Sequence, residues 1–139
     1  MGQTIPRDIT GTALASLEID HSGLEDIVGL LDESLACDGY EAGLFDDALC
    51  RLADSVERHF RKEEAWMRKL DYPSVAVHHE QHVRLLAALE DFRRGFASNP
   101  VRPNAYIIRG FVDDWLVHHM REVDCLFEAF VRNSESAAC

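Results

Sequence analysis

No apolar run in this sequence comes near the roughly 18 residues that let a helix cross a bilayer. Its opening, MGQTIPRDIT, lacks a basic segment followed by an apolar one, so no secretory leader is expected. Pro6 stands where a myristoylation motif needs Ser or Thr, which argues against a lipid anchor. Cys37, Cys50, Cys125 and Cys139 form no C-x-x-C pair, so neither a zinc ribbon nor a redox dithiol is indicated. The expectation is reduced thiols in the cytoplasm, with Cys125 buried on a helix and a Cys37–Cys50 disulfide as the lesser alternative. Basic residues are scarce: 14 Lys and Arg stand against 25 Asp and Glu, a formal net charge of −11. A surface of that sign repels nucleic acid and anionic membrane, and neither is expected as a partner. Regular apolar–polar alternation, the mark of a half-buried strand, is also missing.

What the 139 residues do contain is apolar periodicity at helical spacing, over a length that suits one domain with a sizeable core. Leu14, Leu17, His21, Leu24, Val28, Leu31 and Leu35 form a first stripe with alternating steps of three and four. Leu49, Leu52, Val56, His59, Glu63, Trp66 and Leu70 form a second, and Val75, His78, His82, Leu85, Leu89, Phe92 and Phe96 a third. The fourth is less regular: Ile108, Val112, Trp115, His119, Val123, Leu126 and Phe130. Each reads as the inner face of an amphipathic helix. CDGYEAG (37–43), DYPS (71–74) and SNPVRPN (98–104) interrupt them with turn residues. Helices are therefore expected over about 12–37, 41–70, 74–96 and 103–132, with a frayed tail at 133–139. Connections this short favour antiparallel neighbours, so the expected fold is all-α, an up-down-up-down four-helix bundle in one domain spanning 1–139.

Six residues sit where a bundle normally places Leu or Val: His21, His59, Glu63, His78, His82 and His119. Burying even one unpaired charge costs several kcal/mol, against a whole-domain stability of about 5–15 kcal/mol. A lone histidine on an apolar face is ordinarily a core residue with one hydrogen-bond partner, and runs such as RHFRKEE, EDFRR and HMREVD ordinarily read as solvated faces. These six, however, lie near the middle of every stripe, and antiparallel packing brings them to one level. Imidazoles and carboxylates converging in a bundle core are the makings of a di-metal site. His59 and Glu63 are four residues apart and point the same way, as do His78 and His82. His79 lies about 100° round the helix and is expected at the surface or behind a ligand; the same reasoning places His118 outside and His119 inside. On the last helix the acidic partner of His119 stays open. Straight helical geometry favours Glu122, because Asp124 lies about 140° away.

These motifs in this order resemble the hemerythrin family, in particular its single-domain bacterial members. That pattern is a His on the first helix, H-x-x-x-E on the second, H-x-x-x-H on the third and H-x-x-x-x-D on the fourth. It stands here as His21, HFRKE (59–63), HHEQH (78–82) and HMREVD (119–124), and HFRKEEAWM and WLVHHMREVD extend the likeness. The resemblance covers residues 14–130. It departs in the short segment before the first helix and in having Glu18, not Asp, three residues before His21. The resemblance implies two iron ions (Fe2+/Fe3+) with a bridging oxo or hydroxo group. His78, His82 and His119 would hold one iron, His21 and His59 the other with a position open for O2, and Glu63 and Asp124 would bridge them. The choice of Asp124 over Glu122 then requires a local widening such as a π-bulge between His119 and Asp124. Leu24, Phe60, Trp115, Leu116 and Met120, each within a turn of a ligand, are the candidate apolar wall of the O2 pocket. The implied function is non-enzymatic, reversible O2 binding for storage or delivery. The alternatives are an O2 or redox sensor acting through a separate, unidentified protein partner, and a di-iron enzyme acting on peroxide or nitric oxide.

Overall fold

A computed structural model describes the backbone of residues 7–36 and 40–137 and the side chains of 9–36 and 40–134. Four helical arms pack as a bundle, and no strand occurs among the described residues. The arms are α1 (Arg7–Ala36), α2 (Ala42–Lys69), α3 (Val75–Ser98) and a fourth that changes character along its length. That last arm runs from α4 (Arg102–Phe111) through two π-helical segments, Val112–Val117 and His119–Val123, into α5 (Asp124–Ala137). Pro103 sits in the first turn of α4, where its missing N–H costs nothing. No helix among the described residues is long and apolar enough to cross a membrane.

Several boundaries differ from those that the apolar pattern indicates. α1 is helical from Arg7, and Thr10 and Ala13, both fully buried, extend its inner face together with the half-buried Ile9. The fourth arm stays helical to Ala137, past the point where fraying was expected, with the Ser134 hydroxyl donating to the Phe130 carbonyl at 2.9 Å. Cys37, with the disulfide alternative that involves it, and Cys139 lie outside the described residues. Cys50 and Cys125 are free thiols. Cys125, expected to be buried, is exposed.

The hairpin between α2 and α3 fixes the register that matters for the site. The Tyr72 N–H donates to the Met67 carbonyl at 2.8 Å, and the Asp71 N–H to the Arg68 carbonyl at 3.3 Å. This pairing caps the carbonyls at the end of α2 and requires a left-handed residue between them. Asp71 fills that place at φ 56°, a conformation its short polar side chain tolerates. Tyr72 and Met67 then pack in the same apolar cluster, closing the turn.

Two apolar clusters fill the bundle. The larger includes Leu24, Val28, Phe45, Leu52, Phe60, Leu85, Phe96, Leu116 and Met120; the smaller holds Ala13, Leu17, Met67, Leu70, Phe127 and Val131. Along α1 the chain passes from Leu17 in one cluster through His21 to Leu24 in the other. α2 passes likewise from Phe60 through Glu63 to Met67, and the fourth arm from Met120 through Asp124 to Phe127. A single polar layer therefore lies between two apolar ones, which is the common level that the four stripes predict.

The π segments shift the register of the fourth arm. Each of their hydrogen bonds spans one residue more than in an α-helix, so inner positions recur at longer steps. Val112, Leu116, Met120 and Asp124, each four apart, are all buried. Trp115, assigned to the inner stripe by α-helical spacing, is 59 % exposed and stacks on Phe111. Beyond the π turns the expected Leu126 is 64 % exposed, while Phe127 and Val131 fill the core.

Candidate metal centre

All seven side chains implied as ligands meet in the polar layer. Ligand atoms of Glu63, His78, His82, His119 and Asp124 lie within 4.8 Å of one another, and so do those of His21, His59, Glu63 and Asp124. Both carboxylates belong to both groups, and each divides its oxygens between them. Glu63 Oε1 faces His78 Nε2 at 2.8 Å and His82 Nε2 at 3.2 Å, while Oε2 faces His59 Nε2 at 3.4 Å. Asp124 Oδ1 faces His78 Nε2 at 3.0 Å and His119 Nε2 at 3.1 Å; Oδ2 faces His21 Nε2 at 3.0 Å and His59 Nε2 at 3.5 Å. Three imidazoles thus stand on one side of the carboxylate pair and two on the other.

The π turn explains how Asp124 comes to be there. Five residues after His119, it would point well away from that histidine on a straight helix. With the segment His119–Val123 widened, Asp124 is fully buried against His119, and Glu122 is left exposed. The expected widening is present. A second one at Val112–Val117 was not anticipated.

Rings and carboxylates act on one another across this buried layer. Burial alone would lower the pKa of His59, but the carboxylates of Asp124 and Glu63, both within 3.5 Å of its Nε2, outweigh it and hold the ring up to about 10. The same contest leaves His78 at about 9. Burial would raise the Glu63 carboxyl, yet His59, His78 and His82 bring it down to about 2. Asp124, faced by His119, His21, His59 and His78, is likewise held far below the carboxylate range.

Protons alone do not satisfy this cluster. Neither Glu63 oxygen, both fully buried, has a hydrogen bond of acceptable geometry, despite three imidazole nitrogens within 3.4 Å. His82 Nε2 and His119 Nε2 approach to 3.1 Å. The His82 Nδ1–H donates to Glu64 Oε2 at 2.9 Å, which leaves Nε2 as the ring nitrogen that faces into the cluster. Inward lone pairs on imidazoles and unsaturated buried carboxylates are the donor set that divalent or trivalent cations take.

Carboxylates behind the rings complete the arrangement. Asp20 Oδ2 lies 3.4 Å from His59 Nδ1 and its other oxygen accepts from Lys62, and Glu128 Oε1 lies 3.7 Å from His21 Nδ1. Asp20, the acidic residue next to His21 in sequence, thus lies behind His59 on the neighbouring helix. Glu64 was missed, because RHFRKEE reads as a solvated run. The pointer lay on α3, where His79 and His82, three apart, share the flank that faces α2. His79 is exposed and bonded to Glu64, and His118 is exposed, as expected for both.

Four of the five pocket residues lie in the larger apolar cluster beside the polar layer: Leu24, Phe60, Leu116 and Met120. Phe60 stacks on the His82 ring at 3.7 Å and 6° and meets His119 edge-on. Trp115 does not join them, because the first π segment turns it outward and Leu116 takes its place. Leu24 and His59 also line a cleft of about 320 Å³ that opens between α1 and α2.

Fold and site together define a four-helix bundle around a buried cation-binding cluster of imidazoles and carboxylates. The chain belongs to the hemerythrin family: residues 12–131 match the Hemerythrin HHE cation binding domain. It is 33 % identical over 118 residues to the bacteriohemerythrin of Methylococcus capsulatus, covering 84 % of this chain and 87 % of that protein. It is 28 % identical to the bacteriohemerythrin of Ralstonia nicotianae over 58 % of each chain. With that of Pseudomonas paraeruginosa it shares 23 % identity over 98 % of this chain and 86 % of the relative. No solved structure matches it significantly.

Proposed function

We propose that this protein binds dioxygen reversibly at a non-haem di-iron centre, for storage or delivery, and is not an enzyme. His78, His82 and His119 would hold one iron and His21 and His59 the other, with Glu63 and Asp124 shared between them. The observation that carries this reading is the division of both buried carboxylates, one oxygen each to the three-histidine and two-histidine groups. The two-histidine iron has fewer protein donors, which leaves room for a small ligand. When bound, the iron pair supplies the electrons that dioxygen takes up and returns. Five imidazoles and two carboxylates are a less anionic set than the carboxylate-rich di-iron sites of ferritin-like bundles, and so favour the reduced state more. Leu24, Phe60, Leu116 and Met120 keep water from the open position, and water is what would turn oxygenation into irreversible oxidation. The names of the relatives support the same reading.

The test is an optical titration of the anaerobically reduced, iron-loaded protein with O2, followed by flushing with argon. Charge-transfer absorption that appears with O2 and vanishes under argon is the expected result. Absorption that decays within a few turnovers to a stable diferric spectrum would refute carriage and favour a sensing or enzymatic role.

A further inference from the structure

We propose that Glu64 is a positioning residue for the metal centre, fixing the ring of His82, and that His79 and Arg68 serve to fix Glu64. The inference rests on the metal-centre reading of the cluster. Glu64 sits on α2 with its side chain only 8 % exposed. Its Oε2 accepts from His82 Nδ1 at 2.9 Å, and its Oε1 accepts from both His79 Nδ1 and Arg68 Nη2, the latter at 3.2 Å. One carboxylate thus ties together two histidines of the same motif, HHEQH. Of these, His82 points inward and His79 is half exposed.

What Glu64 adds is a choice that packing cannot make. The His82 ring is stacked on Phe60 at 3.7 Å and nearly parallel to it, which sets the plane of the imidazole. A stacked ring turned by 180° about its bond to Cβ would fill almost the same space and keep the same contacts. That turn would take Nε2 away from Glu63 Oε1 and His119 Nε2, which lie 3.2 and 3.1 Å from it, and put a C–H in its place. An acceptor at Nδ1 selects one of the two orientations. It also keeps an N–H on the outer nitrogen, leaving the inner nitrogen for a metal, and its charge strengthens that donor. The other two outer carboxylates stand farther off, at 3.4 Å for Asp20 and His59 and 3.7 Å for Glu128 and His21. His82 is the most tightly held of the three.

His79 and Arg68 account for the position of Glu64 itself. A lone glutamate at this depth would swing its carboxylate toward water. Donors from α3 and from the next turn of α2 occupy Oε1 and leave Oε2 directed at His82. The exposed histidine of the motif is therefore neither a ligand nor an incidental surface residue; it braces the partner of a ligand.

The experiment titrates metal-free wild type, Glu64→Ala, Glu64→Gln and His79→Ala with Co(II), following d–d absorption and metal content, with circular dichroism of each apoprotein alongside. The wild type should take up two Co(II), and Glu64→Ala should weaken one of the two steps by about 10–100-fold. Glu64→Gln, which keeps an acceptor oxygen, should recover most of that loss. His79→Ala, at an exposed position where folding is safe, should weaken the same step by a smaller factor. The hyperfine-shifted Nδ1–H proton of His82 in the Co(II) protein should persist in Glu64→Gln, exchange faster in His79→Ala and disappear in Glu64→Ala. Glu64→Ala taking up both metals as the wild type does would overturn this proposal alone. So would a loss shared equally by both steps and tracking apoprotein stability. A wild type that takes up no Co(II) would overturn the metal centre and this proposal together.

Discussion

Truncating two neighbours on the fourth arm, Trp115 and Leu116, gives opposite results depending on whether that arm is π-widened or a regular α-helix. On a regular helix Trp115, four residues before His119, faces the core, and its loss is the costly one. In the structure Leu116 is 3 % exposed among Phe60, Met120 and Leu24, and Trp115 is 59 % exposed. Leu116→Ala removes three buried carbons at about 0.8 kcal/mol each and leaves a void beside the polar layer, for a total of about 3–5 kcal/mol. Only about 40 % of the Trp115 surface is covered. For a side chain of roughly 200 Å² at about 25 cal/mol per Å², truncation costs no more than about 2 kcal/mol. The assay is urea unfolding of the metal-free proteins followed by far-ultraviolet circular dichroism, because a fluorescence baseline would change with the tryptophan itself. The midpoint should fall further for Leu116→Ala than for Trp115→Ala at similar slopes. The reverse order would refute the π-shifted register and restore Trp115 to the pocket wall.

The same void has a consequence in the iron-loaded protein. Leu116→Ala should speed autoxidation by admitting water, and an unchanged rate would remove Leu116 from the pocket. Glu63→Ala deletes a donor shared by both groups, so it should lose at least one metal per chain on elemental analysis; retention of both at wild-type affinity would end its bridging role. The metal-free protein should also depend on pH through His59 and His78, whose pKa values are raised from 6.5 to about 10 and about 9. Stability gained from a raised pKa is complete below the ordinary value and lost as pH rises through the folded one. The urea midpoint should therefore decline between about pH 7 and 10. Metal loading, which leaves those nitrogens no proton to lose, should abolish the decline, whereas a flat profile in the metal-free protein would contradict the buried ion pairs.

Periodicity was enough to read the first three arms and the common level of the polar residues, because inner positions on straight helices recur every three or four residues. It failed on the fourth arm for a geometric cause. A stripe drawn at α-helical spacing through two π turns slips by about one residue, which put Trp115 and Leu126 on the inner face and left Phe127 and Val131 off it; Leu116 was named only through its nearness to His119. Cys125 was misplaced for another reason: free thiols are ordinarily buried, and this one, off the stripe, is exposed. The family pattern H-x-x-x-x-D flagged the widening after His119, since a ligand at that spacing cannot lie over it on a regular helix; nothing in the pattern pointed to the widening before it. The ligand candidates were legible because polar residues in apolar seats stand out. Glu64 and Glu128 were not, because a carboxylate at the edge of a buried face looks the same in sequence whether it faces water or the back of a histidine. Only the packing of α2 on α3 and of α1 on α5 distinguishes the two.

The proposed centre has seven side chains holding a pair of irons that share Glu63 and Asp124. It is tested most directly by anomalous diffraction at the iron edge from crystals of the iron-loaded protein. Two peaks per chain are expected, about 3.5–4 Å apart as in other two-metal sites. One peak should lie against His78, His82 and His119 and the other against His21 and His59, with both carboxylates between them. A single peak, or a pair in which Glu63 and Asp124 each contact only one iron, would contradict it.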